Sequence, residues 1–362
     1  MKGIQLFAPN EPYRYSETIP DPKLNGPYDM KIRIEAASYC HTDLVLQEGF
    51  PVHGGVAKWP IIPSHEGVGT VVEIGDKVDQ SLFKPGVRVG ATHHYHMCGE
   101  CPECKRDPKE GHIFCQTDLH THGLTHDGAL AEYLVVDSRH CFVLPDEISF
   151  LDAAPLMCAG ITIHKALERC ELKKGDWVAI IGAGGGLGHL GCQFAKGMGY
   201  NCVAVDVSDQ ALELVKELGC ADLIVDARKQ TPEQARESIL EVTDPDKSVK
   251  GRELSGGVHA VIVMPSSQAA FDMAFVIVRK HGKIIMVSVP ENGWRVDSVA
   301  LLFKDLTIRG SLFSCASDAQ RMLNDTVKWG VKVSRRVWPL KQINEAVQDS
   351  LKGGKVVIDM SL

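Results

Sequence analysis

The pattern of apolar and polar residues changes once along the chain, close to Asp152. Before this point, short runs of β-type residues alternate with Gly and Pro, as in Lys31–Ala36, Gly69–Ile74 and Gly86–Gly90. Short runs that are closely spaced and separated by turn residues are typical of antiparallel sheets. The first part of the chain is therefore predicted to form a mostly antiparallel β-domain.

After Asp152, continuous apolar runs alternate with amphipathic segments. Apolar runs without polar interruption are typical of parallel strands buried on both faces. The predicted strands are Trp177–Gly182, Cys202–Asp206, Leu223–Asp226, Ala260–Met264 and Lys283–Val287. A helix with an apolar stripe of Leu187, Leu190, Phe194 and Met198 is predicted between the first two. The pattern indicates an α/β fold with a parallel sheet, and the final run, Gly354–Asp359, is expected to return to the first domain.

Length, composition and charge narrow the class of protein. The chain has 362 residues, which is too long for one ordinary core and suits two domains. It has no apolar stretch of the ~18 residues that cross a membrane, and no pattern of a secretory signal. A net charge of −7 without a basic run argues against nucleic acid as a partner. We expect a cytoplasmic protein that binds a small molecule, with no membrane or nucleic-acid partner.

A glycine-rich segment follows the first predicted parallel strand. Glycines let the backbone approach a pyrophosphate, whose charge is bound by the N–H groups that begin the next helix. Asp206 ends the second strand, where a carboxylate binds ribose hydroxyls and repels a 2′-phosphate. Leu187 falls where G-x-G-x-x-G has its third glycine, so the prediction depends on strand, loop, helix and Asp206 together. NAD is the predicted cofactor, bound by Gly182, Gly184, Gly185, Gly186, Leu187, Gly188 and Asp206.

Four cysteines lie close together in one loop, at Cys98, Cys101, Cys104 and Cys115. Four thiolates around one Zn²⁺ make a closed tetrahedral site, which is structural rather than catalytic. The chain has twelve cysteines and no export signal, so metal binding is a better interpretation than a disulfide framework. The spacing predicts one structural zinc ion.

A second group of metal-ligating residue types is dispersed along the chain. It comprises Cys40, His65 with the adjacent Glu66, and Cys158. Two thiolates and an imidazole on Zn²⁺ would leave a fourth position open for a substrate oxygen. The spacing alone leaves open whether these residues meet, because a cysteine in apolar surroundings such as Cys158 also serves as a small core residue.

Five motifs occur in a fixed order along the chain. They are Cys40-His41-Thr42-Asp43, His65-Glu66-Gly67 before Gly69, the four-cysteine loop, Leu156–Thr162 and the glycine loop. Together they resemble the zinc-dependent alcohol dehydrogenases of the medium-chain dehydrogenase/reductase family, in particular their microbial tetrameric branch. The resemblance runs from about residue 25 to Gly354–Val357. It implies a GroES-like, β-rich catalytic domain at 1–157, a doubly wound Rossmann domain that binds NAD at 158–300, and a C-terminal segment, 301–362, that returns to the catalytic domain.

The resemblance also implies roles for single residues. It makes the two dispersed cysteines and His65 the ligands of a catalytic zinc, with Glu66 as a nearby carboxylate that exchanges onto the metal. Thr42 takes the position of the hydroxyl that passes on the substrate proton. His41 takes the position of a basic residue near the cofactor pyrophosphate, and Lys355 stands where the family usually has Arg. Two zinc ions per chain and a homotetramer or homodimer are implied.

Three departures from the family pattern concern the substrate site. Val45 stands where the family often has the histidine that ends the proton relay, so either Glu48 or water replaces it or proton transfer is slower. His93 stands where an aromatic residue often lines the pocket, and it either orients a polar substrate or faces solvent. The loop between the last two cysteines of the four-cysteine loop and the segment Phe50–Pro60 are longer than usual. The second insertion is expected to reshape the substrate entrance.

The sequence thus predicts an oxidoreductase that transfers a hydride between an alcohol and NAD, interconverting the alcohol and an aldehyde or ketone. One alternative is an aldehyde reductase of the same family that works in a biosynthetic pathway. An alternative of another class is a non-catalytic NAD-binding protein stabilised by zinc. The sequence leaves the substrate, the preferred direction and the number of subunits open.

Overall fold

The computed structural model describes residues 1–49, 58–106, 111–115, 120–290 and 292–362. The strands in these ranges are β1 Gly3–Gln5, β2 Arg14–Ser16, β3 Asp29–Tyr39, β4 Glu66–Ile74, β5 Arg88–Ala91, β6 His94–Tyr95, β7 His120–Thr121, β8 Tyr133–Asp137, β9 Cys141–Val143, β10 Trp177–Ile181, β11 Asn201–Asp206, β12 Leu223–Asp226, β13 Val258–Val263, β14 Val278–Met286, β15 Thr307–Gly310, β16 Arg335–Pro339 and β17 Lys355–Asp359.

The α-helices are α1 His41–Gln47, α2 Pro102–Arg106, α3 Phe150–Pro155, α4 Ile161–Arg169, α5 Gly188–Gly197, α6 Asp209–Leu218, α7 Pro232–Thr243, α8 Arg252–Ser255, α9 Gln268–Ile277, α10 Ser298–Phe303, α11 Ala316–Trp329 and α12 Ile343–Ser350. Short 3₁₀ turns lie at Gly111–Phe114, Ser138–His140 and Leu340–Gln342. A π-helical turn, Leu156–Gly160, follows α3 directly. None of the helices in the described ranges is long and apolar enough to cross a membrane.

The chain divides into two structural units. The first consists of Met1–Ile161, Phe313–Lys328 and Val333–Leu362, and the second of Thr162–Leu312 and Trp329–Lys332. Residues from both ends of the chain therefore build the first unit, whereas the second is nearly continuous in sequence.

The first unit is built on a seven-stranded sheet with the order β16-β17-β3-β4-β5-β9, in which β8 also pairs with β3. All of its pairs are antiparallel except β16 with β17. β3 alternates as an amphipathic strand does, and its apolar residues Met30, Ile32 and Ile34 enter the core. The final strand, β17, pairs with β3 from Val356 opposite Tyr39 onward. It thus lies inside the sheet rather than at its edge.

The second unit has a six-stranded parallel sheet with the order β12-β11-β10-β13-β14-β15. Its central strands are buried on both faces, which explains their unbroken apolar sequences. Side chains cap the N-termini of two of its helices: Ser208 caps α6, and Thr231 forms a capping box with Gln234 at α7. This doubly wound topology, together with the β-rich first unit, confirms the predicted α/β fold class.

The observed strands differ from the predicted ones mainly at β14. This strand begins at Val278, five residues before the predicted start at Lys283, because Val258 pairs with Val278 across a register shift. The polar residues between 279 and 282 hid this extension from a search for apolar runs. The predicted insertion Phe50–Pro60 lies outside the described residues up to position 57, as do residues 107–110 of the predicted longer cysteine loop.

Candidate metal, cofactor and substrate sites

Three dispersed side chains meet in the first unit. Cys40 follows β3 and precedes α1, His65 immediately precedes β4, and Cys158 lies on the π-helical turn. Because Ser38 on β3 pairs with Glu66 on β4, the two strands bring Cys40 and His65 to the same end of the sheet. The ligand atoms of Cys40, His65 and Cys158 all lie within 4.8 Å of one another. The chain therefore forms the three-residue cluster that its dispersed motifs suggested.

The separations within this cluster suit a metal ion better than a disulfide. The sulfur atoms of Cys40 and Cys158 are 3.9 Å apart, whereas a disulfide bond measures ~2.05 Å. Two thiolates on tetrahedral zinc, with Zn–S bonds of ~2.3 Å, lie roughly 3.8 Å apart. His65 is buried, and its Nδ1 has no hydrogen-bond partner among the described residues. The donor set and its spacing thus fit Zn²⁺, with room for one further ligand.

Asp43 holds the two loops that carry Cys40 and His65. Its carboxylate accepts hydrogen bonds from the backbone N–H groups of Cys40 and Ser64, both at 2.9 Å. Ser64 has a φ of 73°, a strained conformation for a residue with a side chain. Its hydroxyl donates to the carbonyl of Ser38. Burial raises the pKa of Asp43 to about 6. This cross-link fixes the backbone on both sides of the cluster.

Glu66 and Lys355 form a buried ion pair beside the cluster. The ammonium nitrogen of Lys355 lies 2.8 Å from one carboxylate oxygen of Glu66 and 2.6 Å from the other. It also donates to the carbonyl of Tyr39 at 3.2 Å. Burial raises the pKa of Glu66 to about 7, although the charge of Lys355 acts in the opposite direction. Lys355 is therefore occupied by Glu66 and by the end of β3.

The residues of the expected proton path lie around the start of α1. The thiol of Cys40 lies 3.7 Å from the hydroxyl of Thr42, which is half-buried. His41 is exposed, as is Glu48, the residue that ends α1. Val45 is half-buried and offers no group that exchanges a proton. A hydroxyl thus adjoins the cluster, and a carboxylate is available at the surface end of the same helix.

The four cysteines of the loop form a second cluster. Cys98, Cys101, Cys104 and Cys115 place all four sulfur atoms within 4.8 Å of one another. The sulfur of Cys98 is 3.9 Å from that of Cys104 and 3.5 Å from that of Cys115. Backbone N–H groups of Glu100 and Cys101 donate to Cys98, at 3.4 and 3.3 Å. Four converging sulfurs that accept backbone hydrogen bonds have the chemistry of a closed zinc site.

The glycine loop connects β10 to α5 in the second unit. Gly182 has a φ of 86°, which favours glycine. A Cβ atom on Gly184 would lie 2.3 Å from the backbone of α6, and one on Gly188 would lie 2.1 Å from the carbonyl oxygen of Gly182. The helix that follows, α5, begins at Gly188, and the residue at its capping position, Leu187, makes no side-chain hydrogen bond to it. Its first N–H groups are thus not bound by a capping side chain.

Asp206 reaches back from the end of β11 to this loop. Its carboxylate accepts hydrogen bonds from the backbone N–H of Gly184 at 2.9 Å and of Val207 at 2.7 Å. The residue is 9% exposed. These bonds hold a negative charge beside the glycine loop, where a nucleotide ribose would be recognised.

Sequence patterns did not single out several residues that shape these sites. Asp43 stands only inside a motif, and no sequence pattern marks Ser64. Their importance comes from contacts between distant strands, which no local spacing encodes. The run Cys40-His41-Thr42-Asp43 did contain one usable signal, because an Asp three residues after a capping position commonly bonds to the backbone there.

An antiparallel catalytic unit with two metal-type clusters, joined in one chain to a doubly wound unit with a glycine loop, defines the class of two-domain zinc-type dehydrogenases. Models of known families agree: the alcohol dehydrogenase GroES-like domain matches residues 26–146, and the zinc-binding dehydrogenase domain matches residues 186–328.

Individual relatives extend the match over nearly the whole chain. An alcohol dehydrogenase of Geobacillus stearothermophilus is 37% identical over 334 residues, covering 91% of this chain and 91% of the relative. One from Moraxella sp. (strain TAE123) is 32% identical over 367 residues and covers 100% of both chains. The solved structure of the alcohol dehydrogenase from Aeropyrum pernix superimposes with a TM-score of 0.84 at 28% identity, covering 99% of this chain and 100% of that one. The chain belongs to the zinc-dependent alcohol dehydrogenases of the medium-chain dehydrogenase/reductase family, and it is an oxidoreductase that interconverts alcohols and aldehydes or ketones.

Proposed function

We propose that Cys40, His65 and Cys158 hold the catalytic zinc of this oxidoreductase, and that Cys98, Cys101, Cys104 and Cys115 hold a second, structural zinc. The observation that carries the proposal is the convergence of the first three side chains from separate segments, within 4.8 Å. The unpartnered Nδ1 of buried His65 adds support, because a buried polar group without a partner is costly. Zinc at this position would act as a Lewis acid and lower the pKa of the substrate hydroxyl.

Thr42 receives the proton that the substrate hydroxyl loses. Its hydroxyl adjoins the cluster, and a hydroxyl can accept one proton while it donates its own. Since Val45 cannot continue the path, the proton leaves either through water or toward the carboxylate of Glu48. Bound NAD would supply the hydride acceptor, and the protein's part in this step would be to position the substrate carbon against the cofactor.

Glu66 and Lys355 act as a unit beside the catalytic cluster. The expectation that Glu66 exchanges onto the metal requires it to move away from Lys355, to which it is bonded here. We propose that Lys355 holds Glu66 in place, and that His41, at the exposed start of α1, meets the cofactor pyrophosphate. Contact between Lys355 and the pyrophosphate remains a prediction.

NAD is the proposed cofactor, bound along Gly182, Gly184, Gly185, Gly186, Leu187 and Gly188. Solved structures with the same fold include complexes with NAD and with NADP, so the preference depends on this chain's own residues. The fixed carboxylate of Asp206 favours a free ribose and repels a 2′-phosphate. Replacing Asp206 by Gly should raise the ratio of kcat/KM for NADP to that for NAD at least tenfold, and an unchanged ratio would remove Asp206 from this role.

The comparisons do not favour the two alternatives. The relatives at 32–37% identity are named alcohol dehydrogenases, and neither a dedicated biosynthetic aldehyde reductase nor a non-catalytic binding protein has an observation in its support. The preferred direction depends on metabolite ratios rather than on the site. We keep the assignment of catalysis to 1–157 with 301–362, and of NAD binding to 158–300, as part of the proposal.

We also propose that the protein is a cytoplasmic homo-oligomer, a tetramer or a dimer as in the microbial branch. Twelve free cysteines suit a reducing compartment. In the second unit, β15 is an edge strand of the sheet, and the nearby helix α10 exposes Leu302 and Phe303 by 75% and 79%. An unpaired edge beside exposed apolar side chains is typical of a surface covered by another subunit. Light scattering of the purified chain measures the subunit number.

Metal analysis combined with an NADH-monitored assay tests the proposal most directly. The purified chain should contain two zinc ions and oxidise alcohols in a chelator-sensitive manner. Replacing Cys158 by Ser should remove one zinc and the activity, whereas replacing Cys101 by Ser should remove the other zinc and lower the thermal midpoint. A chain with one tightly held zinc and no activity toward any alcohol or carbonyl compound would instead support the binding protein.

A further inference from the structure

A pair of buried imidazoles lies on one face of a small antiparallel ribbon in the first unit. β6 and β7 pair through His94 opposite Thr121 and Tyr95 opposite His120. Continuing this register by one residue places His93 opposite His122, and the backbone N–H of His122 donates to the carbonyl of His93 at 2.9 Å. Residues directly opposite in an antiparallel pair project to the same face, with Cβ atoms ~5 Å apart. The two side chains therefore share one environment.

Each of these imidazoles retains a nitrogen without a hydrogen bond. His93 and His122 are 7% and 3% exposed. Nδ1 of His93 and Nε2 of His122 are buried and have no partner among the residues that the structure describes. Leaving a buried polar atom unpaired is costly, so folded proteins satisfy such atoms or reserve them for a ligand. Two such nitrogens on one face thus lack a hydrogen-bonding complement.

The chemistry of one nitrogen follows from its neighbour. Nδ1 of His122 lies 3.0 Å from the carbonyl oxygen of Asp127. A carbonyl can only accept, so Nδ1 carries the proton, and Nε2 of the neutral ring is an acceptor. Burial keeps this ring neutral, since it lowers the pKa of His122 to about 4. Nε2 of His122 therefore requires a hydrogen-bond donor, which a hydroxyl group supplies and a carbonyl group or a carboxylate does not.

The imidazole pair adjoins the proposed catalytic cluster through His93. The ring of His93 meets the ring of His65 edge to face, with centroids 5.1 Å apart. Phe313 contacts His93 from another side, at a centroid distance of 3.5 Å. A substrate with its reacting oxygen at the cluster would thus lie beside the ring of His93, with His122 on the same face of the ribbon and the ring of Phe313 nearby.

We propose that the preferred substrate carries a second hydroxyl group close to the reacting carbon, as in short polyols and their hydroxy-aldehydes, and that His122 accepts and His93 completes the hydrogen bonds to that group. The inference rests on the proposed function of the cluster. A site built to bond a hydroxyl discriminates against an analogue that lacks it, because the polar groups then remain unpaired.

Substrate pairs with one carbon skeleton test this preference. We would measure kcat/KM of the zinc-loaded full chain for propan-1-ol, propan-2-ol, propane-1,2-diol, propane-1,3-diol and glycerol. At least one polyol should exceed both mono-alcohols by about tenfold or more, the factor that one hydrogen bond of ordinary strength supplies. The advantage should appear mainly in KM, because the second hydroxyl is bound equally before and during the reaction.

Three variants test whether the imidazole pair causes the ratio of kcat/KM for a polyol to that for a mono-alcohol. His93→Phe keeps an aromatic ring against Phe313, and His122→Leu removes the acceptor. Each should lower the polyol to mono-alcohol ratio toward one. His122→Gln restores an acceptor oxygen and should recover part of the ratio. His281→Leu is the matched control, because this histidine is exposed and belongs to the second unit. Zinc content and the circular dichroism spectrum are recorded for every variant.

The outcomes separate the two levels of the proposal. If mono-alcohols are oxidised and no polyol gains, the inference is wrong while the proposed function stands, and ordered water then satisfies the two nitrogens. If no alcohol is oxidised with NAD or NADP, both are wrong. Should His122→Leu fail to fold, the wild-type ratio and the His93→Phe ratio decide. A ratio that falls equally in His281→Leu also overturns the inference.

Discussion

The buried pair of Lys355 and Glu66 offers a quantitative test of the first unit. Replacing Lys355 by Met preserves much of the side-chain volume and removes the ammonium group. The variant loses the hydrogen bonds to one carboxylate oxygen of Glu66 and to the carbonyl of Tyr39, together with the ion pair, and it leaves the carboxylate of Glu66 buried without a counter-charge. A buried charge that loses its partner destabilises a protein far more than an exposed one does.

The expected loss in the free energy of unfolding is about 3 kcal/mol at pH 7, at the lower end of the ~3–5 kcal/mol typical of a broken buried pair. The lower end applies because the pKa of Glu66 already stands at about 7, and it rises further without Lys355, so that protonation relieves part of the cost. A carboxyl group whose pKa is raised on folding destabilises the protein as the pH rises above the pKa that the group has in the unfolded chain. Below about pH 7 this loss is the same in both proteins, whereas above it only the variant, in which the pKa of Glu66 is higher, continues to lose stability, so the deficit of the variant should grow as the pH rises from about 7 to 8.

Urea unfolding followed by circular dichroism measures this deficit on zinc-loaded protein. Lys352→Met is the control, since Lys352 is 65% exposed and pairs with Asp349 at the surface, where an ion pair contributes little. Lys355→Arg should retain most of the stability. In a double-mutant cycle with Glu66→Gln, the combined loss should be smaller than the sum of the single losses by about 2 kcal/mol. Strict additivity, or a deficit that shrinks toward pH 8, would refute the assignment of a coupled buried pair.

Three further predictions concern the loops. Asp43→Asn should lower the free energy of unfolding by about 1–3 kcal/mol and speed the loss of zinc to a chelator, because an amide can accept only one of the two backbone N–H bonds. Equal rates of zinc loss in the variant and the wild type would contradict this prediction. Gly184→Ala, whose Cβ would lie 2.3 Å from the backbone of α6, should raise the KM for NAD more than Gly185→Ala, whose nearest contact is 3.3 Å, and the reverse order would exclude this packing. His122 binds protons more weakly when folded, so the chain should lose stability as the pH falls from about 6.5 to 4, by up to about 3 kcal/mol; a thermal-midpoint profile that is unchanged in His122→Leu would disprove it.

The sequence predicts the second unit well because its information is local. Unbroken apolar runs mark strands buried on both faces, and a run of glycines marks the loop, so β12 has the predicted bounds. The four-cysteine cluster was equally predictable from the sequence, since its members lie within eighteen residues of one another. In both cases the residues that meet in space are close in the chain.

The dispersed cluster depends on long-range pairing that no local pattern encodes. Cys40 and Cys158 are 118 residues apart, and Lys355 meets Glu66 across 289 residues. Spacing offered only candidate residue types here, and the family resemblance supplied the grouping. The strained Ser64 and the unpaired nitrogen of His122 could not be foreseen, because both follow from the backbone geometry of neighbouring loops.

The position of β17 has a consequence for how the protein is made. A ribosome delivers the chain from its first residue to its last, and domains begin to fold as they emerge. All strands of the nearly continuous second unit emerge before β17 does. The edge of β3 next to Cys40 therefore stays unpaired until β17 is synthesised. Until β17 has emerged, that edge is open and Glu66 lacks the counter-charge of Lys355. Assembly of the catalytic unit thus depends on residues 355–359, and a chain that stops before β17 has the strands of its nucleotide fold but an incomplete sheet beside its metal centre.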